Sequence, residues 1–223
     1  RAERQGVKHW ETIVARLDVE KWQPLTGVAP KDRADMARAI LAIEAASQFQ
    51  KRARYSDAEL KLRDALAILQ KVVGEEHPLM ASCYNNLAFC LVRQGKSREA
   101  LPLLRKALAI RQKVLGEEHL QTALSCNELG VCLHNQGRHA EALSLYRKAL
   151  AIRLKVAGES YPSTATSYNS VAVCLDDMGK FAEARPLHEK ALAIRIRVLG
   201  EHHLQTANSY HNVAAGLDKE GKH

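Results

Sequence analysis

Aromatic side chains make up only 5% of this 223-residue chain, which holds six prolines, three methionines and two tryptophans. So few rings leave little of the aromatic interleaving on which a single-stranded nucleic acid stacks. No apolar run approaches 18 residues and the start is not signal-like, so no segment of this sequence is expected to cross or target a membrane. No CxxC pair, GxxxxGK[ST] loop, GxSxG elbow or HExxH helix occurs. The sequence therefore offers no catalytic residues, no metal ligands and no cofactor motif, and an enzyme is not expected. Low-complexity tracts are absent too. Hydrophobic residues make up 46%, with Ala and Leu abundant, the composition of a soluble helical chain that can bury a continuous core.

What is present is a period of 42 residues. Gly74, Gly116, Gly158 and Gly200 are evenly spaced, and each opens a near-copy of GEEHPLMASCYNNLAFCLVRQGKSREALPLLRKALAIRQKVL. Such a chain is an array of supersecondary units that bury their apolar faces against one another, since one unit alone has too little core. The cysteines follow the same register. Cys90, Cys132 and Cys174 are equivalent, with Gly216 in the last copy, so the place calls for a small side chain where two helices touch. Cys83 and Cys126 stand where other copies have Ser and Tyr. All five are expected to be free thiols, in keeping with a reducing, cytoplasmic location.

Each unit reads as two helices. From Leu79 to Gln94 the apolar positions Leu87, Cys90 and Leu91 keep helical spacing, and Gly95 ends the helix in a left-handed cap. The second helix is predicted from Ser97 to Leu115, with Ala100, Leu104, Ala107 and Leu108 inward and Gly116 as its stop. Pro78 and Pro162 stand just inside the next helix start, where a missing N–H is harmless.

These units resemble tetratricopeptide repeats. Leu87-Ala88, Gly95, Ala100, Ala107 and Leu108 stand at the family's signature spacings, as do Leu129-Gly130, Gly137, Ala142, Ala149 and Leu150, and then Val171-Ala172, Gly179, Phe181, Ala184, Ala191 and Leu192. The common repeat has about 34 residues, so 42 adds about two helical turns. That longer period, the Asn-Asn-Leu-Ala run and the Gly-x-x-His-Pro connector are similar to the kinesin light chain type of repeat, also found in large bacterial signalling proteins. The resemblance implies an all-α fold, a right-handed superhelix of antiparallel helix pairs (an α-solenoid). Its expected parts are an N-terminal helix and linker over 1–31, a divergent helix pair over 32–73, three full repeats over 74–115, 116–157 and 158–199, and the first helix of a further repeat over 200–223.

Toward the N-terminus the pattern decays. Gly6, His9 and Thr12 match the offsets of Gly116, His119 and Thr122, yet about 26 extra residues precede Gly74. A helix is predicted from Trp10 to Lys21, then a linker around Pro24 to Pro30, then helices over Asp32–Ala53 and Ser56–Val73, with Trp10 and Trp22 shielding the first repeat. At the other end Val213 and Leu217 are expected near uncovered apolar surface, which would favour end-to-end self-association.

In the resemblance, ligands lie along the concave side formed by the first helices. The corresponding places are Ser82, Asn85, Asn86 and Phe89, then Leu124, Asn127, Glu128 and Val131, then Thr166, Asn169, Ser170 and Val173, then Asn208, His211, Asn212 and Ala215. Asn85, Asn127 and Asn169 are equivalent, with His211 last. A ladder of Asn can hydrogen-bond an extended peptide whatever its side chains, because each carries donors and an acceptor. The same column could instead bond a neighbouring helix and fix the register between repeats. Phe89, Val131 and Val173 supply either an apolar floor or inter-helix core. The expected partner is a protein or peptide segment.

The formal charge of +8 raises nucleic acid as a partner. Three equivalent basic rows exist: Lys106, Lys148 and Lys190; Arg111, Arg153 and Arg195; Lys113, Lys155 and Arg197. The last two fall in final helical turns, where cations complement the helix dipole, and all three are expected mainly as a solvated face, which disfavours nucleic acid. His77, His119 and His203 share one connector place with Tyr161, and a place that accepts Tyr is no metal ligand. The functional reading is a scaffold or adaptor module that holds an extended or helical peptide in its groove. The alternatives are a regulatory or sensor arm of a larger bacterial signalling protein, linked to a protease, kinase or NTPase, and a passive oligomerisation rod.

Overall fold

The computed structural model describes residues 29–219 and Gly221. The predicted helix Trp10–Lys21, the shielding Trp10 and Trp22, and His223 lie outside the described residues. Among the described residues a 3₁₀ turn, Pro30–Asp32, is followed by nine α-helices: α1 Arg33–Lys51, α2 Tyr55–Val72, α3 Pro78–Arg93, α4 Ser97–Leu115, α5 Leu120–His134, α6 His139–Ala157, α7 Pro162–Asp177, α8 Phe181–Leu199 and α9 Leu204–Lys219. No strand occurs among the described residues. The helices over Asp32–Ala53, Ser56–Val73, Leu79–Gln94 and Ser97–Leu115 read from the sequence each have a counterpart within one or two residues at each end.

Local chemistry places the helix ends. Pro78 and Pro162 sit at the first turns of α3 and α7. His77, His119 and His203 precede α3, α5 and α9, and each imidazole Nδ1 accepts the backbone N–H two residues on, at 3.2, 3.1 and 3.1 Å. The repeated connector His is thus a helix N-cap. Tyr161 makes no such bond. At the turn inside each pair, the N–H of Lys96, Arg138 and Lys180 closes on the carbonyl of Leu91, Leu133 and Leu175 at 2.8–3.0 Å, with Gly95, Gly137 and Gly179 at φ of 74–78°. That is the left-handed helix stop the sequence announced.

The chain packs as two compact units, Arg1–Ile110 and Arg111–His223. In the first, α1 lies against α2 and α2 against α3. Its core gathers Met36, Ile40, Leu69, Met80, Cys83 and Ala107, each 1% exposed or less. In the second, α5, α6, α7, α8 and α9 each pack on the next, and a representative cluster is Ala165, Tyr168, Ala191 and Ile194. All five cysteines are free and buried, and Gly216 is buried at the fourth equivalent place.

One basic row differs from expectation. Arg111, Arg153 and Arg195 are only 5, 5 and 8% exposed. Arg111 Nη1 donates to Ser125 Oγ at 2.7 Å and to the Gln121 carbonyl at 3.2 Å. Arg153 repeats this with Ser167 and the Ser163 carbonyl, and Arg195 with Ser209 and the Gln205 carbonyl. The row is therefore a series of buried ties between the second helix of one repeat and the first helix of the next, because a guanidinium leaving water needs acceptors in place. Beside each tie, Thr122, Thr164 or Thr206 donates to the carbonyl of Gly116, Gly158 or Gly200 at 2.8–2.9 Å. One period earlier the set is Leu69, Cys83 and Met80, all buried. The same junction there is wholly apolar.

Candidate functional site

Among the positions that the repeat register assigned to the groove, those of α7 and α9 meet in an open cleft of about 490 Å³, lined by Thr166, Asn169, Val173, Asn208, His211 and Asn212 together with Arg195 and Gln205. Six of these eight are places that the repeat register assigned to the groove. Helical spacing explains the convergence: residues three or four apart in one helix share a face. Asn208 and His211 are exposed, and Asn169, Val173 and Asn212 half-buried. Asn212 Nδ2 donates to Asn169 Oδ1 at 2.7 Å, so this rung bonds a neighbouring first helix, one of the two roles open to the Asn column. Ser170 Oγ turns back to the Thr166 carbonyl at 3.0 Å and stays within its own helix.

Further back in the second unit, Asn127 Oδ1 and Glu128 Oε2 are buried without a hydrogen-bond partner. Burial pushes the Glu128 carboxyl up to about 7, against the opposing pull of the Arg111 and Arg153 guanidinium groups. Val131, four residues on from Asn127, is 39% exposed. In the first unit Asn85 is 6% exposed with both amide atoms unpartnered, and Asn86 is half-buried. Phe89 is 49% exposed and packs edge-on against Tyr55, ring centroids 6.0 Å apart. Phe89 and Val131 are therefore surface residues rather than inter-helix core.

The other basic rows are engaged. Lys106 and Lys190 sit over the Tyr84 and Tyr168 rings at 5.6 and 5.5 Å. Cys126 replaces Tyr in the intervening repeat, and there Lys148 pairs with Glu117 at 2.6 Å. Lys155 pairs with Glu118 at 2.5 Å and Arg197 reaches Ser160 at 2.7 Å.

Sequence reasoning missed one cluster. His134 ends α5, His139 begins α6, and Cys174 lies on α7; one ring nitrogen from each His and the sulfur lie within 4.8 Å of one another. The His rings meet edge-on at 5.0 Å, and Asp177 Oδ2 is 2.7 Å from His134 Nε2. A search for two His four apart or a Cys pair passes over it, since it joins two helix ends to a residue one repeat later. Its signal was departure from the repeat: His134 stands where other copies have Gln50, Val92, Asp176 and Asp218, and His139 where they have Tyr55, Ser97 and Phe181, with His again at His223.

The tetratricopeptide repeat profile matches residues 36–113, 84–155, 120–197 and 163–223. The chain belongs to the tetratricopeptide repeat family. Among solved structures it is similar to a candidate kinesin light chain from Podosopora anserina with nearly identical TPR-like repeats, 28% identical over 83% of this chain and 87% of that one, with a TM-score of 0.73. It also resembles BtubC (BKLC) from P. vanneervenii, 21% identical over 99% of this chain and 82% of that one, TM-score 0.72. The apo form of RapI shares the fold at 19% identity, covering 95% of this chain and 54% of that one, TM-score 0.66. No curated protein matches. The chain's structural neighbours thus include kinesin light chain-like repeat proteins, and the tetratricopeptide repeat fold generally serves protein interaction and is typically non-catalytic. No helix among the described residues is long and apolar enough to cross a membrane.

Proposed function

We propose that the chain is a protein-interaction module, a scaffold or adaptor that holds an extended or helical peptide segment against its first helices. The observation that supports this most is the cleft between α7 and α9, where amide and imidazole groups face an open space beside Val173. Amide groups of this kind bond peptide backbone without reading side chains, and an apolar neighbour adds burial area for one anchor. In the same unit Asn127 Oδ1 is buried and unpartnered, a further acceptor that a ligand N–H would satisfy, since a buried polar atom left alone is unfavourable. Five buried thiols suit a reducing, cytoplasmic setting.

A peptide array screened with the purified chain, then with the Asn208→Ala, His211→Ala double variant, tests the reading. Both side chains are exposed, so folding is expected to survive. Hits that weaken at least tenfold in the variant support a peptide groove; absence of hits, or hits indifferent to the two changes, would overturn it.

A second reading is self-association through α9, on which Leu204 is 74% and Tyr210 46% exposed, while Val213 and Leu217 are half-buried. Light scattering that finds a monomer at high concentration removes it.

A further inference from the structure

We propose that His134, His139 and Cys174 form a binding site for a zinc-like divalent cation, which clips α7 to the turn between α5 and α6. Two imidazoles and a thiolate are the donor set of a borderline-soft ion, and the short spacing of two His with a distant Cys is common in zinc sites. Zn–N bonds of about 2.0–2.1 Å and a Zn–S bond of about 2.3 Å place tetrahedral donors about 3.4–3.6 Å apart. The present separations, within 4.8 Å, close to that with small side-chain rotations. His139 Nδ1 is buried without a hydrogen-bond partner, a cost that an ion would relieve. A carboxylate stands beside the pair, Asp177 Oδ2 at 2.7 Å from His134 Nε2, the partner that commonly orients a ligating imidazole. Cys174 Sγ already faces the same turn, 3.3 Å from the His139 carbonyl.

The repeat itself argues that these residues are not there for the fold. Every other copy builds the place of His134 from Gln, Val or Asp; the place of His139 is Tyr, Ser or Phe in three copies and His again at His223, so the two histidines occur together in one copy alone. A place that tolerates Val and Ser does not require His, so both histidines at one turn need a local reason. Cys174 differs: its place is Cys in three copies because it must be small, and the cation would recruit a thiol already in position. Binding would replace the thiol proton with the ion.

Titration of the untagged chain with Co²⁺ and with Zn²⁺ tests the site. The expected result is one equivalent of Co²⁺ with a sulfur-to-cobalt charge-transfer band, displaced by Zn²⁺, and a rise in thermal midpoint with added Zn²⁺. His139→Gln, half-exposed and replaceable by residues as different as Ser97 and Phe181, is expected to fold as judged by circular dichroism and to weaken binding at least tenfold. Cys174→Ser abolishes the band while some nitrogen-held Co²⁺ persists. A wild-type chain with no band, or a band of equal strength in His139→Gln, would overturn the proposal.

Discussion

Arg111 donates from one nitrogen to two acceptors in the next repeat, the Ser125 hydroxyl at 2.7 Å and the Gln121 carbonyl at 3.2 Å. The relationship returns at Arg153 and Arg195, and one period earlier the chain places Leu69 opposite Cys83. Both solutions are self-consistent: a buried cation with its acceptors, or two apolar groups. Mixed pairs are not, because truncating one partner of a buried charged pair leaves the other unsatisfied. Arg153→Leu alone is therefore expected to destabilise by about 2–4 kcal/mol. Adding Ser167→Cys and Thr164→Met, the first junction's set, is expected to recover most of that loss. Chemical unfolding of the three proteins checks it, and a triple variant no better than the single would show that the junctions are not interchangeable.

Ala53 holds φ +56° where four later copies, Gly95, Gly137, Gly179 and Gly221, have Gly. The same closing bond forms around it, Arg54 N–H to the Phe49 carbonyl at 2.9 Å, so the left-handed turn is required whatever the residue. Its Cβ opposes that conformation by about 1–2 kcal/mol. Ala53→Gly is expected to raise stability by about 0.5–1 kcal/mol after the greater freedom of Gly in the unfolded chain is set against the relief. The reverse change, Gly137→Ala, is expected to lower it by a similar amount. Urea midpoints of the two variants should move in opposite directions; a shared direction would refute the account.

The repeat pattern made the helix pairs legible because caps and stops are local: Pro78, Gly95 and Gly116 act through backbone geometry that each copy restates. It also placed the α7–α9 cleft, since register along a helix decides which residues share a face. Tertiary partners were less legible. Arg111, Arg153 and Arg195 carry the same sequence signal as exposed cations at a helix C-terminus, and only the Ser fourteen residues later marks them as buried. The residues most informative about local chemistry, His134 and His139, were those that the period does not predict, and averaging over copies hides such places.

The Glu128 carboxyl is raised to about 7 by burial, with Arg111 and Arg153 opposing. A carboxyl with a raised folded pKa binds its proton more tightly when folded. Its contribution is complete below the unfolded value near 4.5 and is lost as pH rises through about 7. Glu128→Gln, which cannot ionise, is expected to match the wild type near pH 4 and to exceed it above pH 8 by up to about 3 kcal/mol, at 1.36 kcal/mol per unit. Unfolding free energies at five pH values from 4 to 9 decide it, and parallel curves for the two proteins would rule out the shift.

Gly130 and Tyr146 are fitted to each other. A Cβ built on Gly130 would lie 2.7 Å from Tyr146 Cε1, closer than packed carbon atoms can approach, and Tyr146 is itself 4% exposed, so the ring has nowhere to go. The adjoining copies use another pairing, Ala88 with Leu104 and Ala172 with His188. Gly130→Ala is expected to destabilise by about 1–3 kcal/mol through overpacking, despite the better helix propensity of Ala. Tyr146→Leu alone opens space and is expected to cost a comparable amount. Together they recreate the Ala88–Leu104 pair, and the double variant is expected to be more stable than either single change. A double-mutant cycle from urea unfolding measures the coupling. A near-zero interaction energy would mean that the Tyr146 ring moves aside, and that Gly130 is a relic of sequence rather than a fitted gap.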